Sequence, residues 1–375
     1  MINCNLRLRQ LAAALLVLGG ASLPLQAQQT STTSHASTSA ALPSTGTTVF
    51  DGGVRRELAR GVYEAVYSEP LQALFVASAE AIPNVKGGVI YKLDPTTLET
   101  IGATHTDKKN FALALNPAGD TLYATNSLES GITSFDAKTG EVKARLKFED
   151  KASDGTPYGP RQIIYQPDGD LLYVGGVGAP GLIWVVDAKK MTLVKTIADA
   201  GKWVTGLLLD PENKRLYSAN GDGEILVIDS AQNKILSRWT PGDDKPHLLL
   251  NLALDAKSNR LFVTDHSKAK TVLVFDTQSG KVVKRLPVGD SMGIKLNPVR
   301  NEIYVTHREQ GTLSVLNADS YEVLRTIALP PNPNSLALDP TGQVLYVTIK
   351  TPFNKDYSSS APESVARIAL DRPAK

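Results

Sequence analysis

Residues 333–348 read PNSLALDPTGQVLYVT: an apolar strand, a Pro/Gly turn, then a second strand centred on an aromatic ring. The phrase recurs along the chain with its aromatic at Phe75, Tyr123, Tyr173, Tyr217, Phe262, Tyr304 and Tyr346, in steps of 48, 50, 44, 45, 42 and 42 residues. A period of this length marks an array of like supersecondary units, so it decides the architecture before any single residue is interpreted. The turns ahead of the aromatics (SEPLQ, NPAGD, QPDGD, DPENK, DAKSN, NPVRN and DPTGQ) supply the fixed or positive φ of a tight hairpin. A third strand closes at Asp94, Asp136, Asp187, Asp229, Asp276, Asn317 or Asp371, and a short fourth strand follows six of the seven. Four antiparallel strands repeated seven times predict an all-β, seven-bladed β-propeller.

The seventh unit ends almost with its third strand, whereas a strand-like stretch from Val54 to Arg60 precedes the first unit. This N-terminal strand is expected to close the last blade, because an open ring would expose a long pairing edge. Ala112, Ala114, Ala253 and Ala337 fall on one alternating face of the first strands, as crowding toward an axis requires. The propeller is expected over residues 49–375.

The N-terminus carries Arg7 and Arg9, an apolar run from Leu11 to Leu18 and a small-residue Leu25-Gln26-Ala27 site. Residues 1–27 therefore read as a cleavable secretory signal peptide, and the expected location is the periplasm. The run is too short to span a bilayer, and no membrane span is expected elsewhere. Cys4 leaves with the signal, so disulfides, thiolate catalysis and cysteine metal sites are excluded from the mature chain. Residues 28–48 are rich in Ser, Thr and Ala and read as a disordered tether. Removing two arginines from the 40 basic residues leaves 38 against 38 acidic ones, a mature net charge of about zero. That counts against a general polyanion coat, so any such activity must come from local patterning.

In a propeller the loops entering first strands and those joining second to third strands share one face around the channel mouth, where binding residues concentrate. The long ones are residues 77–86, 146–160, 240–248 and 350–363. Lys86, Lys108, Lys109, Tyr158, Arg161, Lys202, Trp203, Lys245, His247, His266, Lys268, Lys270, His307, Arg308 and Lys350 are assigned to this face. Interleaved cations and rings suit a single-stranded nucleic acid, whose phosphates meet the cations while each base stacks for about 1–3 kcal/mol. In that reading Lys109, Arg161, Lys202 and Arg308 contact phosphates, while Tyr158 and Trp203 stack. The same loops carry many carboxylates, including Asp107, Asp154, Asp222, Asp243, Asp265 and Asp290, so an ordinary solvated surface is the competing reading. Trp184, inside LIWVVD, is expected in the core, and Trp239 in outer-strand packing.

Phosphate loops, nucleophile elbows and HExxH are absent from the sequence, and no enzyme activity or cofactor is expected. Two alternatives remain. One is a scaffold or accessory subunit that presents the ring face to a periplasmic or outer-membrane partner. The other is a metal-assisted lactonase in which Glu64, Asn110, Asn251 and Asn334, near first-strand starts, hold Ca²⁺.

The motifs LYATN, LFVTD, IYVTH and LYVTI are similar to the YVTN repeat. GVYEAVYS at Gly61, KGGVIYKLDPTTLE at Lys86, DAKTGEVKARL at Asp136, KRLYSANGDGEILVIDSAQNKILSR at Lys214 and NPVRNEIYVTHREQGTLSV at Asn297 resemble the bacterial YncE family, and so does the opening stretch. The resemblance implies a periplasmic, non-enzymatic propeller, associated with single-stranded DNA binding on one ring face and with iron-limited growth. It carries over most directly to Tyr63 and Glu64 in GVYE, His307 and Arg308 in VTHR, and Pro333 and Asn334 in PNS.

Overall fold

The computed structural model describes residues 46–50 and 52–370. The signal peptide and residues 28–45 of the tether lie outside them. The described residues form seven antiparallel sheets, six of four strands and one of five. The five-stranded sheet is the closing blade, built from β27 (Pro333–Leu338), β28 (Val344–Ile349) and β29 (Glu363–Ala369) at one end of the chain. Its remaining strands come from the other end, β2 (Gly53–Ala59) and β1 (Thr47–Phe50). β2 pairs with β29 from Gly53 opposite Ile368 to Ala59 opposite Glu363, so the N-terminal strand closes the ring as expected. β1 extends the sheet by one strand, and it includes Thr47 and Thr48, which the sequence reading placed in the tether.

The third-strand Asp has a local job. Its Oδ1 accepts backbone N–H groups two and three residues ahead, as Asp136 does from Lys138 at 2.9 Å and from Thr139 at 2.8 Å. Asp94, Asp187 and Asp229 repeat this geometry, and Asn317 does so with its amide oxygen. The residue four beyond adopts positive φ in each hairpin, whether Gly140 and Gly280 or Leu98, Met191, Asn233 and Tyr321. The Asx turn thus sets the loop, and glycine is not obligatory at its αL position.

Hydrophobic clusters fill the spaces between neighbouring blades. One joins Phe75 to Leu122 and Phe135, another Tyr123 to Leu172 and Trp184, and so on around the ring. The cluster of Val62, Leu74, Tyr346 and Val365 packs the seventh blade on the first. Trp184 is fully buried and stacks on Phe148 at 3.8 Å between ring centroids, and Trp239 packs beside Tyr217 and Phe275, both as expected. The repeat aromatic also stitches blades together through its hydroxyl: Tyr123 donates to the Ala188 carbonyl, Tyr173 to Ser230 and Tyr346 to Pro95, each in the next blade.

Candidate functional site

The repeat positions the site through a backbone irregularity. In the first strands of blades one, three, five and seven, residues 63–64, 161–162, 250–251 and 334–335 each stand opposite a single second-strand residue. Such β-bulges bend a strand and re-aim its side chains, here at the mouth of the channel. Where the second strand reads aromatic-x-Thr, the threonine holds the next bulge in place. Thr348 Oγ1 accepts the Ser335 N–H at 3.1 Å and donates to the Tyr63 carbonyl at 2.7 Å. Thr306 likewise links the Gly293 N–H to the Asn334 carbonyl, and Thr125 links the Ala112 N–H to the Arg161 carbonyl. Tyr63, Arg161 and Asn334 are therefore each fixed by a buried threonine of the preceding blade.

Five of the expected site residues meet here: Tyr63, Arg161, Arg308, Asn334 and Lys350. The Arg161 guanidinium lies 4.9 Å from the Tyr63 ring centre and 5.9 Å from that of Phe111, and these two rings contact each other at 4.6 Å. Arg308 donates to Oδ1 of Asn334. Lys350 Nζ lies 3.9 Å over the Tyr63 ring and 3.0 Å from Glu363 Oε2. Burial, with repulsion from Arg161, pushes Arg308 down to about 10, and burial pushes Lys350 down to about 8 despite Glu363. Burial raises the Tyr63 phenol to about 12. Nη1 of Arg161 is buried and has no hydrogen-bond partner among the described residues.

Below the mouth runs a channel of about 560 Å³ lined by first-strand residues, among them Glu64, Gln162, Asn251 and Lys295. Desolvation raises the Glu64 carboxyl against the pull of Arg161 and Lys295. Lys295 is exposed within the channel, yet desolvation by the surrounding ring lowers its ammonium pKa, with Glu64 opposing.

The other expected residues have structural partners. Tyr158 is buried, donates to the Pro180 carbonyl and meets Trp184 edge-on, so its ring belongs to blade packing and cannot stack on a base. Lys109 Nζ is spent on the carbonyls of Ala79, Glu80 and Gly87, where it clamps a loop instead of facing a phosphate. His247 is held between Asp265 at 2.7 Å and Asp243 at 2.6 Å. His307 is buried between the Asp290 carbonyl and the Ser314 hydroxyl. Trp203 is half-buried at φ 55°, and Lys202 covers its ring at 4.3 Å.

Two of the four oxygen donors proposed for Ca²⁺, Asn110 and Asn334, are engaged by side chains, while Glu64 and Asn251 line the channel. Asn110 is buried with its oxygen accepting from Asn126, and Asn334 turns its oxygen to Arg308, whose charge repels a cation. Among the described residues no group of three or more His, Cys, Asp or Glu side chains is arranged to hold a metal. The lactonase reading thus has two of its four proposed ligands already occupied.

Sequence reasoning missed Phe111, Lys295 and Glu363. Two had a signal: Lys295 stands opposite Tyr304 where other blades place Ala114, Ala253 or Ala337, and Glu363 opens a third strand where others begin with Gly, Thr or an aliphatic residue.

A Salmonella typhimurium protein, YncE, is 42% identical over 320 residues, which cover 84% of this chain and 90% of the relative. The Escherichia coli YncE matches to the same extent, 42% over 320 residues, 84% and 90%. This chain belongs to the YncE family. The match spans most of the ring, as the family resemblance in the sequence implies. Antigen Lp49 of Leptospira interrogans is 25% identical over 268 residues, covering 68% of this chain and 57% of that protein. No family model matches. Among solved structures, a chain of Kuenenia stuttgartiensis hydrazine synthase superposes with a TM-score of 0.67 at 18% identity, over 83% of this chain and 96% of that one, and shares the fold.

Proposed function

We propose that this YncE-family protein is a periplasmic, non-catalytic binding protein that seats an anionic group of its ligand on Arg161 and Arg308 at the channel mouth. An extended single-stranded nucleic acid is the ligand to test first. The observation that carries the reading is the convergence of two guanidinium groups at one site, that of Arg308 buried and that of Arg161 half-buried, with the buried Nη1 of Arg161 left unpartnered. Concentrating like charge in a desolvated site costs stability, and an anion would relieve both the repulsion and the unmet donor. Lys202 and Trp203, on the same face, would extend the contact along a strand.

The test is fluorescence anisotropy of a labelled oligonucleotide against the purified protein at two salt concentrations, beside Arg161→Ala and Trp203→Ala. Each phosphate contact on a single strand contributes about −0.7 to the log–log salt slope, so Arg161→Ala should flatten it by that amount. Trp203→Ala should weaken binding while the slope stays the same. A salt-independent isotherm, or one that Arg161→Ala leaves unchanged, overturns the proposal.

A further inference from the structure

Beside the cationic mouth lies a second cavity, of about 200 Å³. Two loops wall it, residues 79–85 with Ile82, Pro83 and Val85, and residues 353–358 with Phe353, Asp356 and Tyr357; Tyr63, Lys109, Phe111 and Leu128 complete the lining. The loops are tied together, since Ser359 N–H donates to the Ala81 carbonyl at 2.8 Å, and Lys109 clamps the first of them from below. Ile82 and Val85 remain more than a third exposed, so apolar surface is presented without cover. The cations adjoin it: the rings of Tyr63 and Phe111 that line the cavity carry the Arg161 guanidinium, and Lys350 Nζ is 5.4 Å from the Phe353 ring.

We infer that this cavity and the Arg161 and Arg308 pair form one subsite for a small amphiphilic anion, a carboxylate or phosphate ester carrying an apolar group about the size of an aromatic ring. The inference rests on the anion-binding reading of the mouth and names the chemistry that fills the space next to it. Charge complementarity fixes the polar end. A cavity smaller than an ordinary drug-sized pocket, walled by Phe353, Tyr357 and Ile82, fixes the size and apolar character of the other end. Offset or edge-on packing against the aromatic walls favours a ring over an equally large polar group.

Calorimetric titration with phenylacetate, acetate and benzyl alcohol tests it. Phenylacetate should bind at least ~10-fold tighter than either of the others, since only it engages both halves of the subsite. Phe353→Ala and Ile82→Ser, both at partly exposed positions, should remove that advantage and leave acetate and oligonucleotide binding as they were. Arg161→Gln should weaken phenylacetate and oligonucleotide alike. Equal affinity for phenylacetate and acetate, or a folded Phe353→Ala protein with undiminished phenylacetate binding, overturns the inference. If the oligonucleotide still binds through Arg161 in that case, the anion site stands and only the amphiphile falls. Phenylacetate binding that depends on Phe353, with no oligonucleotide isotherm, upholds the subsite and removes nucleic acid as its ligand.

Discussion

Lys350 Nζ and Glu363 Oε2 lie 3.0 Å apart in the interior of the closing blade, and together they grip the backbone of the first blade at Val62. The carboxylate accepts the Val62 N–H at 2.5 Å and the ammonium donates to the Val62 carbonyl at 2.6 Å. The ring is therefore fastened twice, by strand pairing at its outer edge and by an ion pair at its inner one. Replacing Glu363 with Ala leaves a buried ammonium without its counter-charge and should cost about 3–5 kcal/mol in denaturant unfolding. Because Lys350 is held near 8, against about 10.4 in the unfolded chain, the unfolded state binds more protons between those values and stability should rise with pH there. Lys350→Met should abolish that rise, as read from unfolding curves between pH 8 and 10.

The outer fastening is expected to be as cooperative as the inner one. A chain shortened to begin at Gly61 loses β2 and exposes the edge of β29, so it should melt well below the longer protein. Leu58→Ala probes the same contact more gently, since Leu58 is 3% exposed within the cluster joining the last blade to the first, and should cost about 2–4 kcal/mol.

The threonine of the repeat should matter to binding as well as to folding. Thr348→Val leaves the Ser335 N–H and the Tyr63 carbonyl unmet and should cost about 1–3 kcal/mol. Because Tyr63 and Asn334 sit in the bulges that Thr348 ties together, ligand affinity measured well below the melting temperature should fall too, whereas a change confined to stability would mean that the bulge holds its shape unaided.

The two clamped histidines should give opposite pH slopes. Burial lowers the His307 pKa below its ordinary value of about 6.5. Its contribution to stability is thus complete above that value and is lost as pH falls toward the folded pKa. For His247, burial opposes the charge, but hydrogen bonds to Asp243 and Asp265 outweigh it and raise the pKa, so its stabilisation is complete below about 6.5 and is lost as pH rises through the folded value. Subtracting the unfolding free energies of His307→Gln and His247→Gln from those of wild type across pH 5–8 should show slopes in these two separate windows.

Tyr158 and Lys109 should act on stability alone. Tyr158→Phe removes a hydrogen bond to the Pro180 carbonyl and should cost about 1 kcal/mol. Lys109→Met should loosen the loop at residues 79–87. Neither change should reduce oligonucleotide affinity or its salt slope, and a drop with Tyr158→Phe would return that hydroxyl to the ligand surface.

The part of the site that was legible in sequence is the part carried by a family motif at a set slot of the repeat, whereas the departures from the repeat at Lys295 and Glu363 went unread. Arg308 stands two residues beyond the aromatic-x-Thr phrase, and Tyr63 and Asn334 are the second residues of first strands, so their slots in the blade follow from the period. Tyr158 and Lys109 were assigned to the ligand face from loop position alone. A loop that belongs to the right face still has an inner side, and these two side chains occupy it.

The architecture is written in local rules: the spacing of seven aromatics, the Asp or Asn that closes each third strand and the spare strand ahead of Gly61 specify a closed ring, because only one assembly satisfies all copies. Which polar residues meet follows from the folded ring. Arg161, Arg308 and Lys350 belong to three blades and lie far apart in the chain, and their convergence with Tyr63 depends on bulges whose effect is a rotation of side chains about a strand. Strand periodicity gives a residue's face in its own sheet, whereas proximity across the axis is set by how seven sheets twist around a common channel.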